Sequence, residues 1–295
     1  MDIKDRQALA KAFAEEAASA METPETREAF ATKIVKYLRM DVQQRDLAEL
    51  MLTKDYFELG QTPEYTEFAG LKAHWHEPGS YAPRSAMTRK VFTVPTDMIS
   101  VHPEYELGQL KSGRYGTILD QMDSARDEIL GATNALVFNT IKGSIVSGDA
   151  NYFAASGQVT LAALDQAISW VNDHSNGVKA IVGRRSRLDK ILGLNTTSGP
   201  YSDRILDEIM RTGVLSIYKG APVIGLPQYY DGFGQATISP DDIIVLGDNV
   251  GRYVVKEEVQ QMNDIDIDTL NWHMHVWSRL GCAIFKPERA ARIYM

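Results

Sequence analysis

TGVLSIYKGAPVIGLP, residues 212–227, carries the plainest fold signal in this chain. Two apolar runs flank Lys219 and Gly220, a pair suited to a tight turn, so the segment predicts two short strands back to back. A helical pattern precedes it over 202–211, and a Gly-rich loop and two further strands around Gly247 follow. The region contains no nucleophile, phosphate-binding loop or metal-ligand cluster, and we interpret it as scaffold.

Composition places the chain among globular proteins and excludes several functional classes. With 44% hydrophobic and 24% charged residues, its 295 residues suffice for one large core or two smaller ones. A net charge of -8 argues against a protein that binds nucleic acid over its whole surface. The single cysteine, Cys282, permits no intramolecular disulfide and indicates a reducing compartment.

Membrane association is not expected from the sequence. No apolar run approaches the ~20 residues that span a bilayer, and the first residues lack the apolar core of a signal peptide. We therefore expect a protein made in the cytosol, with no membrane partner.

The first 59 residues predict helices with narrow apolar stripes. An Ala-rich run over 6–21 comes first, and a second helix begins at the cap residue Thr23 with Pro24 in its first turn. A third helical segment follows near residue 47. Because narrow stripes bury little against each other, we expect an arm that lies on another surface. The stripe residues are Phe30, Ile34, Val35, Leu38, Leu47, Leu50 and Met51.

Short extended segments follow and predict a long hairpin. We expect strands over 68–76 and 87–94, with the Pro and Gly residues of 77–84 at the tip. A two-stranded hairpin is marginal in water. Its predicted exposed aromatic residues, Phe68, Trp75 and Phe92, would form an apolar patch that a partner must cover.

A long helical pattern comes next and ends near 143–148. It follows residues 107–114, and about 30 residues at 1.5 Å per residue give a helix of roughly 45 Å. The repeating positions are Ile118, Met122, Ile129, Ala132, Leu136 and Ile141.

Helices and strands alternate from residue 161 to 248. We expect a helix from Leu161 to Val171, a strand over 178–182, a helix after Gly183, and the elements around 202–227. Further strands are expected over 253–259 and 271–285. Since the long helix and these last strands bracket the alternating region, the chain is expected to leave one domain, build another and return.

Two His-x-His pairs are the strongest candidate metal ligands. His74 with His76, and His273 with His275, would each share one face of a strand. Each pair is interleaved with Trp or Met, and no further ligand lies at the expected spacing. We therefore favour ordinary strand residues.

The remaining motifs also favour structural roles. Residues 264–268, DIDID, begin like a calcium loop but lack its Gly and Glu, so we interpret them as a strand with a solvated acidic edge. Arg184, Arg185 and Arg187 open a helix where phosphate can bind, but the nucleotide-loop pattern is missing and ion pairs with acidic residues are favoured. Cys282 is interpreted as a buried structural thiol. We assign no catalytic, cofactor-binding or metal-ligating residue, and no cofactor.

Four segments in order resemble the major capsid proteins of tailed bacteriophages, with their Hong Kong 97-type shell fold. They are IVGRR (181–185), LDEI with TG (206–213), YKGAPVI (218–224) and WSRLGCAIFKP (277–287). The resemblance implies an α+β fold in five parts. These are an N-terminal helical arm (1–60), an extended β-hairpin loop (61–110), a peripheral domain with a spine helix (111–150), an axial domain (151–250) and a return to the peripheral domain (251–295).

The resemblance also implies a function. The chain would self-assemble into hexamers and pentamers of an icosahedral phage head, would not be an enzyme, and would enclose double-stranded DNA without sequence preference. Contact with DNA would be confined to arm residues such as Lys33, Lys36 and Arg39. Other implied partners are a portal protein and scaffold or decoration proteins. Two alternatives stay open: an encapsulin-type cellular nanocompartment and an enzyme that uses the His pairs.

Overall fold

The computed structural model describes residues 23–72, 74–75, 77–78, 80–81, 84–106, 116–155, 157, 159–188, 217–230, 234–266 and 271–295. The helices expected over 6–21 and 202–211 lie outside these residues.

Two helices open the described chain, α1 (Pro24–Arg45) and α2 (Leu47–Met51). Thr23 caps α1 as expected: its Oγ1 accepts from the Thr26 amide at 3.3 Å, and its own amide donates to Thr26 Oγ1 at 3.2 Å. The predicted stripe of α1 is buried, and the Phe30 ring lies 6.0 Å from the ring of Trp272. In α2, Met51 is buried whereas Leu50 is exposed.

The long sheet has the strand order β1 (Thr53–Tyr56), β11 (Gly251–Asp266), β12 (Asn271–Ile284) and β4 (Asp97–Val101). The short strand β5 (Glu104–Glu106) pairs with β12 beyond β4. β1 runs parallel to β11, and the other pairs are antiparallel. The strands expected over 253–259 and 271–285 are confirmed, and β11 is longer than expected.

The spine of the molecule is α3 (Gly116–Gly143), the predicted long helix. Its buried face includes Phe138 and Ile141, which join one core with Tyr253 and Leu280 of the long sheet. Of the predicted positions with described side chains, Ala132 alone is exposed.

The six-stranded sheet has the order β6 (Tyr152–Ala154), β13 (Ala290–Tyr294), β10 (Asp242–Gly247), β7 (Val178–Arg184), β9 (Ala221–Leu226) and β8 (Ile217–Tyr218). Helix α4 (Leu161–His174) packs on it and closes a second core. The predicted turn between β8 and β9 is confirmed, with positive φ angles at Lys219 (47°) and Gly220 (84°). After Gly183, residues 185–188 are helical, and the remaining positions of the expected helix, Ile191 and Leu192, lie outside the described residues.

The last strand joins this second sheet. A short 3₁₀ helix (Pro287–Arg289) follows β12, and β13 then lies between β6 and β10. Residues 251–295 therefore contribute to both sheets. The five-part division of the chain stays a prediction.

The hairpin consists of β2 (Glu64–Ala69) and β3 (Thr88–Thr93), paired antiparallel from Glu64–Thr93 to Ala69–Thr88. The predicted first strand, 68–76, was wrong by several residues. Strand pairing ends at Gly70, whose φ is +98° and where a Cβ would lie 2.6 Å from the Ala86 carbonyl oxygen.

Candidate assembly interface

The base of the hairpin is fixed to the long sheet by aromatic rings. The Tyr65 ring lies 5.9 Å from Phe57 and 5.2 Å from Phe285, and the Phe92 ring lies 5.0 Å from Phe285. The prediction that Phe92 is exposed was therefore wrong. It shares the face of β3 that packs on Phe285, because it is paired with Tyr65 across the hairpin.

Polar contacts reinforce this attachment. Lys286 Nζ lies 2.6 Å from Glu67 Oε1, and the Tyr65 hydroxyl donates to Asp55 at 2.6 Å. Burial and the Asp55 carboxylate together raise the pKa of Tyr65, which keeps the phenol protonated as a donor. The base is thus a packed, hydrogen-bonded joint.

The outer half of the hairpin is not covered by any of the residues that the structure describes. Phe68 is 59% exposed, Leu71 72%, and Trp75 is completely exposed. Tyr81 and Met87 are exposed as well. This is a group of large apolar side chains projecting from the body, an arrangement that marks a protein-contact surface.

A buried ion-pair cluster joins the spine helix to the six-stranded sheet. Asp242 on β10 is fully buried; its Oδ1 lies 2.6 Å from Arg292 Nε and its Oδ2 lies 3.0 Å from Lys142 Nζ. Arg292 also donates to the carbonyl of Ile145, just after α3. Burial raises the pKa of Asp242, but hydrogen bonds from Ser239, Arg292 and Lys142 outweigh it and hold the pKa below its ordinary value.

The segment after β9 also lies on the spine helix. The Tyr229 ring packs against Gly131, where a Cβ would meet ring carbon Cγ at 2.5 Å. Asn139 donates from Nδ2 to the Thr237 carbonyl at 2.9 Å. These contacts hold the two sheets and the helix as one frame behind the hairpin.

The two candidate His-x-His pairs, interpreted from the sequence as ordinary strand residues, belong to different segments of the fold. His74 is exposed on the hairpin and His76 lies outside the described residues. His273 and His275 do share one face of β12, as predicted. No group of three or more metal-ligating side chains occurs among the described residues.

The structure adds a histidine that sequence reasoning missed. The ring of His102 lies 3.9 Å from that of His275, and Glu104 Oε1 lies 3.9 Å from His273 Nε2. Only the register of β4 and β5 against β12 brings these residues together. No sequence motif signals that register.

The other candidate residues have structural surroundings. Asp264 is exposed in β11, and residues 267–268 of the acidic run lie outside the described chain. Arg187 pairs with Asp241 at 2.8 Å, while Arg185 is exposed and Arg184 half-buried. Cys282 is buried, and its thiol lies 3.0 Å from Thr140 Oγ1. The predicted burial of Cys282 is confirmed, and this burial raises the pKa of the thiol while the Thr140 hydrogen bond offsets only part of the rise.

The arm residues proposed for DNA contact lie on α1. Lys33 and Lys36 are exposed there, and the Arg39 side chain is outside the description. In the described part of the chain, none of the helices combines the length and apolar character that a membrane span requires.

The two-sheet body, the long helix α3 and the hairpin define the class of fold, which is the Hong Kong 97 type. A family model described as "SPbeta prophage-derived putative capsid protein YonB" matches residues 3–286. The chain belongs to this family and is a phage capsid protein. No curated protein matches the sequence.

Solved structures show the same fold at low sequence identity. A structure from Microbacterium phage Oxtober96 has a TM-score of 0.64 and 15% identity, covering 84% of this chain and 90% of that one. The capsid of a native GTA particle has a TM-score of 0.61 and 12% identity, with coverages of 85% and 91%. A virus-like particle from Pyrococcus furiosus has a TM-score of 0.55 and 15% identity, with coverages of 89% and 98%.

Proposed function

We propose that this chain is the major capsid protein of a phage head, assembling through its hairpin into hexamers and pentamers that enclose double-stranded DNA. The observation that carries the proposal is the hairpin: a rigid base and an outer half of exposed apolar side chains, on a fold shared with capsid structures. The role is structural, and the assembled head is built in the host cytoplasm.

We propose a head-to-tail contact, in which the exposed side chains of the outer hairpin pack on a different surface of the next copy. A contact of this kind, repeated by rotation, closes into rings. Obligate assemblies commonly bury more than ~2,000 Å² per interface, which requires the body of the neighbour as well as the hairpin.

Electron microscopy of the purified full-length chain tests assembly directly. We expect closed particles or capsomers, and a stable monomer under every salt and concentration condition would contradict the proposal. Trp75→Ser should abolish or strongly reduce particles while Trp75→Phe retains them, because the phenylalanine keeps an apolar ring at a fully exposed position.

Deletion of residues 77–84 extends this test to the hairpin tip. The shortened chain should unfold at nearly the same temperature as the intact one, because the rings and ion pair at the hairpin base remain. It should nevertheless fail to form stable shells. Normal particles from this deletion would refute a role of the tip in assembly.

Contact with packaged DNA is proposed to be weak and non-specific. The chain is acidic, and a wall with few cations lets DNA slide during packaging and ejection, because strong binding depends on phosphate neutralisation. Fluorescence anisotropy of unassembled subunit with random duplex should give a dissociation constant above about 1 μM at physiological salt. Tighter binding or a sequence preference would contradict this. A portal protein, and scaffold or decoration proteins, complete the proposed partners.

A cellular nanocompartment of the encapsulin type is the second candidate. It is supported by the likeness to the Pyrococcus furiosus virus-like particle, which covers 98% of that chain. The contents of particles purified from the native source separate the two functions. Packaged duplex supports the phage head, and an enclosed protein supports the compartment.

A further inference from the structure

Two histidine rings meet where the edge of the long sheet is attached. His102 lies in the two-residue connection between β4 and β5, and its ring centroid is 3.9 Å from that of His275 on β12. The Trp277 ring lies 5.1 Å from His275. The Nε2 atom of His275 is buried and has no hydrogen-bond partner among the described residues.

The edge segment, residues 97–106, depends on this contact region for its place in the sheet. β4 pairs with Val276–Leu280 of β12 and β5 pairs with Asn271–His273. Between the two strands, the Met274 amide donates to the Pro103 carbonyl at 3.1 Å. The histidine contact therefore sits at the centre of the attachment.

Most of the charged side chains near the His102–His275 pair contact other residues. Glu104 accepts a hydrogen bond from Asn271 and lies 3.9 Å from His273 Nε2. On the side of β11, Glu257 lies 3.5 Å from Arg279, and Asp264 is paired in register with His273. Among the side chains that the structure describes, the titratable and charged groups on this face include His102, Glu104, Glu257, Asp264, His273, His275 and Arg279.

We propose that the contact between His102 and His275 holds the edge segment on β12 at neutral pH and is lost when the pH falls. The two rings are in contact, with 3.9 Å between their centroids and an angle of 44° between their planes, and neutral imidazoles tolerate this approach. Protonation of both places two like charges in contact and leaves the buried Nε2–H of His275 without an acceptor, so the edge segment loosens. The freed edge of β12 would then expose unpaired backbone groups that can pair with another chain.

The direction of the pH effect is fixed by the same geometry. Burial, and then the charge of His102, lower the pKa of His275. A histidine whose pKa is lower in the folded state contributes its full stability above the ordinary histidine value. That contribution is lost as the pH falls below this value, because the opened state takes up the proton more readily.

A titration of the wild-type chain tests the pair directly. Ring carbon–proton resonances of the histidines would be followed by NMR on the full-length protein from about pH 8 to about pH 4.5, with assignment by single substitutions. We expect His275 to titrate with a midpoint below the ordinary histidine value of about 6.5. A midpoint at or above that value would overturn the proposal.

Hydrogen exchange tests whether the edge segment loosens at low pH. After correction for the intrinsic pH dependence of exchange, amides of residues 97–106 should exchange at least about tenfold faster at pH 5 than at pH 7.5, because the segment opens more often once the pair is protonated. His102→Phe should remove this acceleration. His174→Phe is the matched control, because His174 stacks on Trp170 at 4.1 Å without a second imidazole in contact.

Acceleration that persists in His102→Phe would refute the pair as its cause. If that variant does not fold, His102→Gln and the wild-type titration decide the question. Both measurements can be made on unassembled subunits, so failure of shell formation would not affect them.

Discussion

Replacing Gly131 with alanine should destabilise the protein even though alanine is the better helix former. Gly131 is buried in α3 under the Tyr229 ring. A Cβ there would lie 2.5 Å from ring carbon Cγ and 2.7 Å from Cε1, and closer still to Cδ1. These atoms are near the root of the side chain, so the whole ring must move.

The expected magnitude follows from two opposing effects. Alanine stabilises a helix interior by about 0.5–1 kcal/mol relative to glycine. Overpacking of a filled site costs about 1–3 kcal/mol. We therefore expect a net loss of about 1–2 kcal/mol in the free energy of unfolding.

Gly143→Ala is the matched control in the same helix. No atom lies within 4 Å of the Cβ that alanine would add there, so this variant should be neutral or slightly stabilising. Urea unfolding at one fixed protein concentration measures both variants, with an unchanged slope as the condition for comparing midpoints.

A double-mutant cycle isolates the contact. In a Tyr229→Ala background the ring is gone, and Gly131→Ala should become stabilising by up to about 1 kcal/mol. The coupling free energy between the two positions should then be about 2 kcal/mol. Equal effects of Gly131→Ala in both backgrounds would refute the packing of Tyr229 on the spine helix.

Two further predictions concern the buried side chains of Asp242 and Cys282. Asp242→Asn should cost about 3 kcal/mol in the free energy of unfolding, because it leaves Arg292 and Lys142 without their buried counter-charge. Since the folded pKa of Asp242 is lowered from its ordinary 3.8, the wild-type contribution is present above that value and is lost as the pH falls through the folded pKa. Unfolding midpoints measured below about pH 4 should show a steeper acid-side loss for wild type than for Asp242→Asn, and equal slopes would contradict the ion-pair cluster. Cys282 should react with iodoacetamide at least about tenfold more slowly in the folded chain than in urea, because burial raises its pKa and restricts access. Equal rates would show that the thiol is open to solvent.

Elements with local signals could be predicted from the amino-acid sequence. Thr23 and Pro24 mark a helix start, and the apolar repeat of α3 marks a long helix, because caps and i, i+4 spacing act within a few residues. The Lys219–Gly220 turn was likewise predictable, since its positive φ angles suit a glycine. The order of these elements also sufficed for the resemblance to phage shell proteins.

Contacts between side chains of distant segments could not be predicted, because they depend on the three-dimensional fold. Phe68 and Phe92 are both hairpin aromatics, yet one is exposed and the other packs on Phe285. A strand alternates faces with every residue, so a small error in register reverses what is covered. The pairing of His102 with His275 and the placing of β13 in the six-stranded sheet have the same cause. Both depend on the closure of long loops and on which sheet edge a strand joins, and no local sequence pattern encodes that choice.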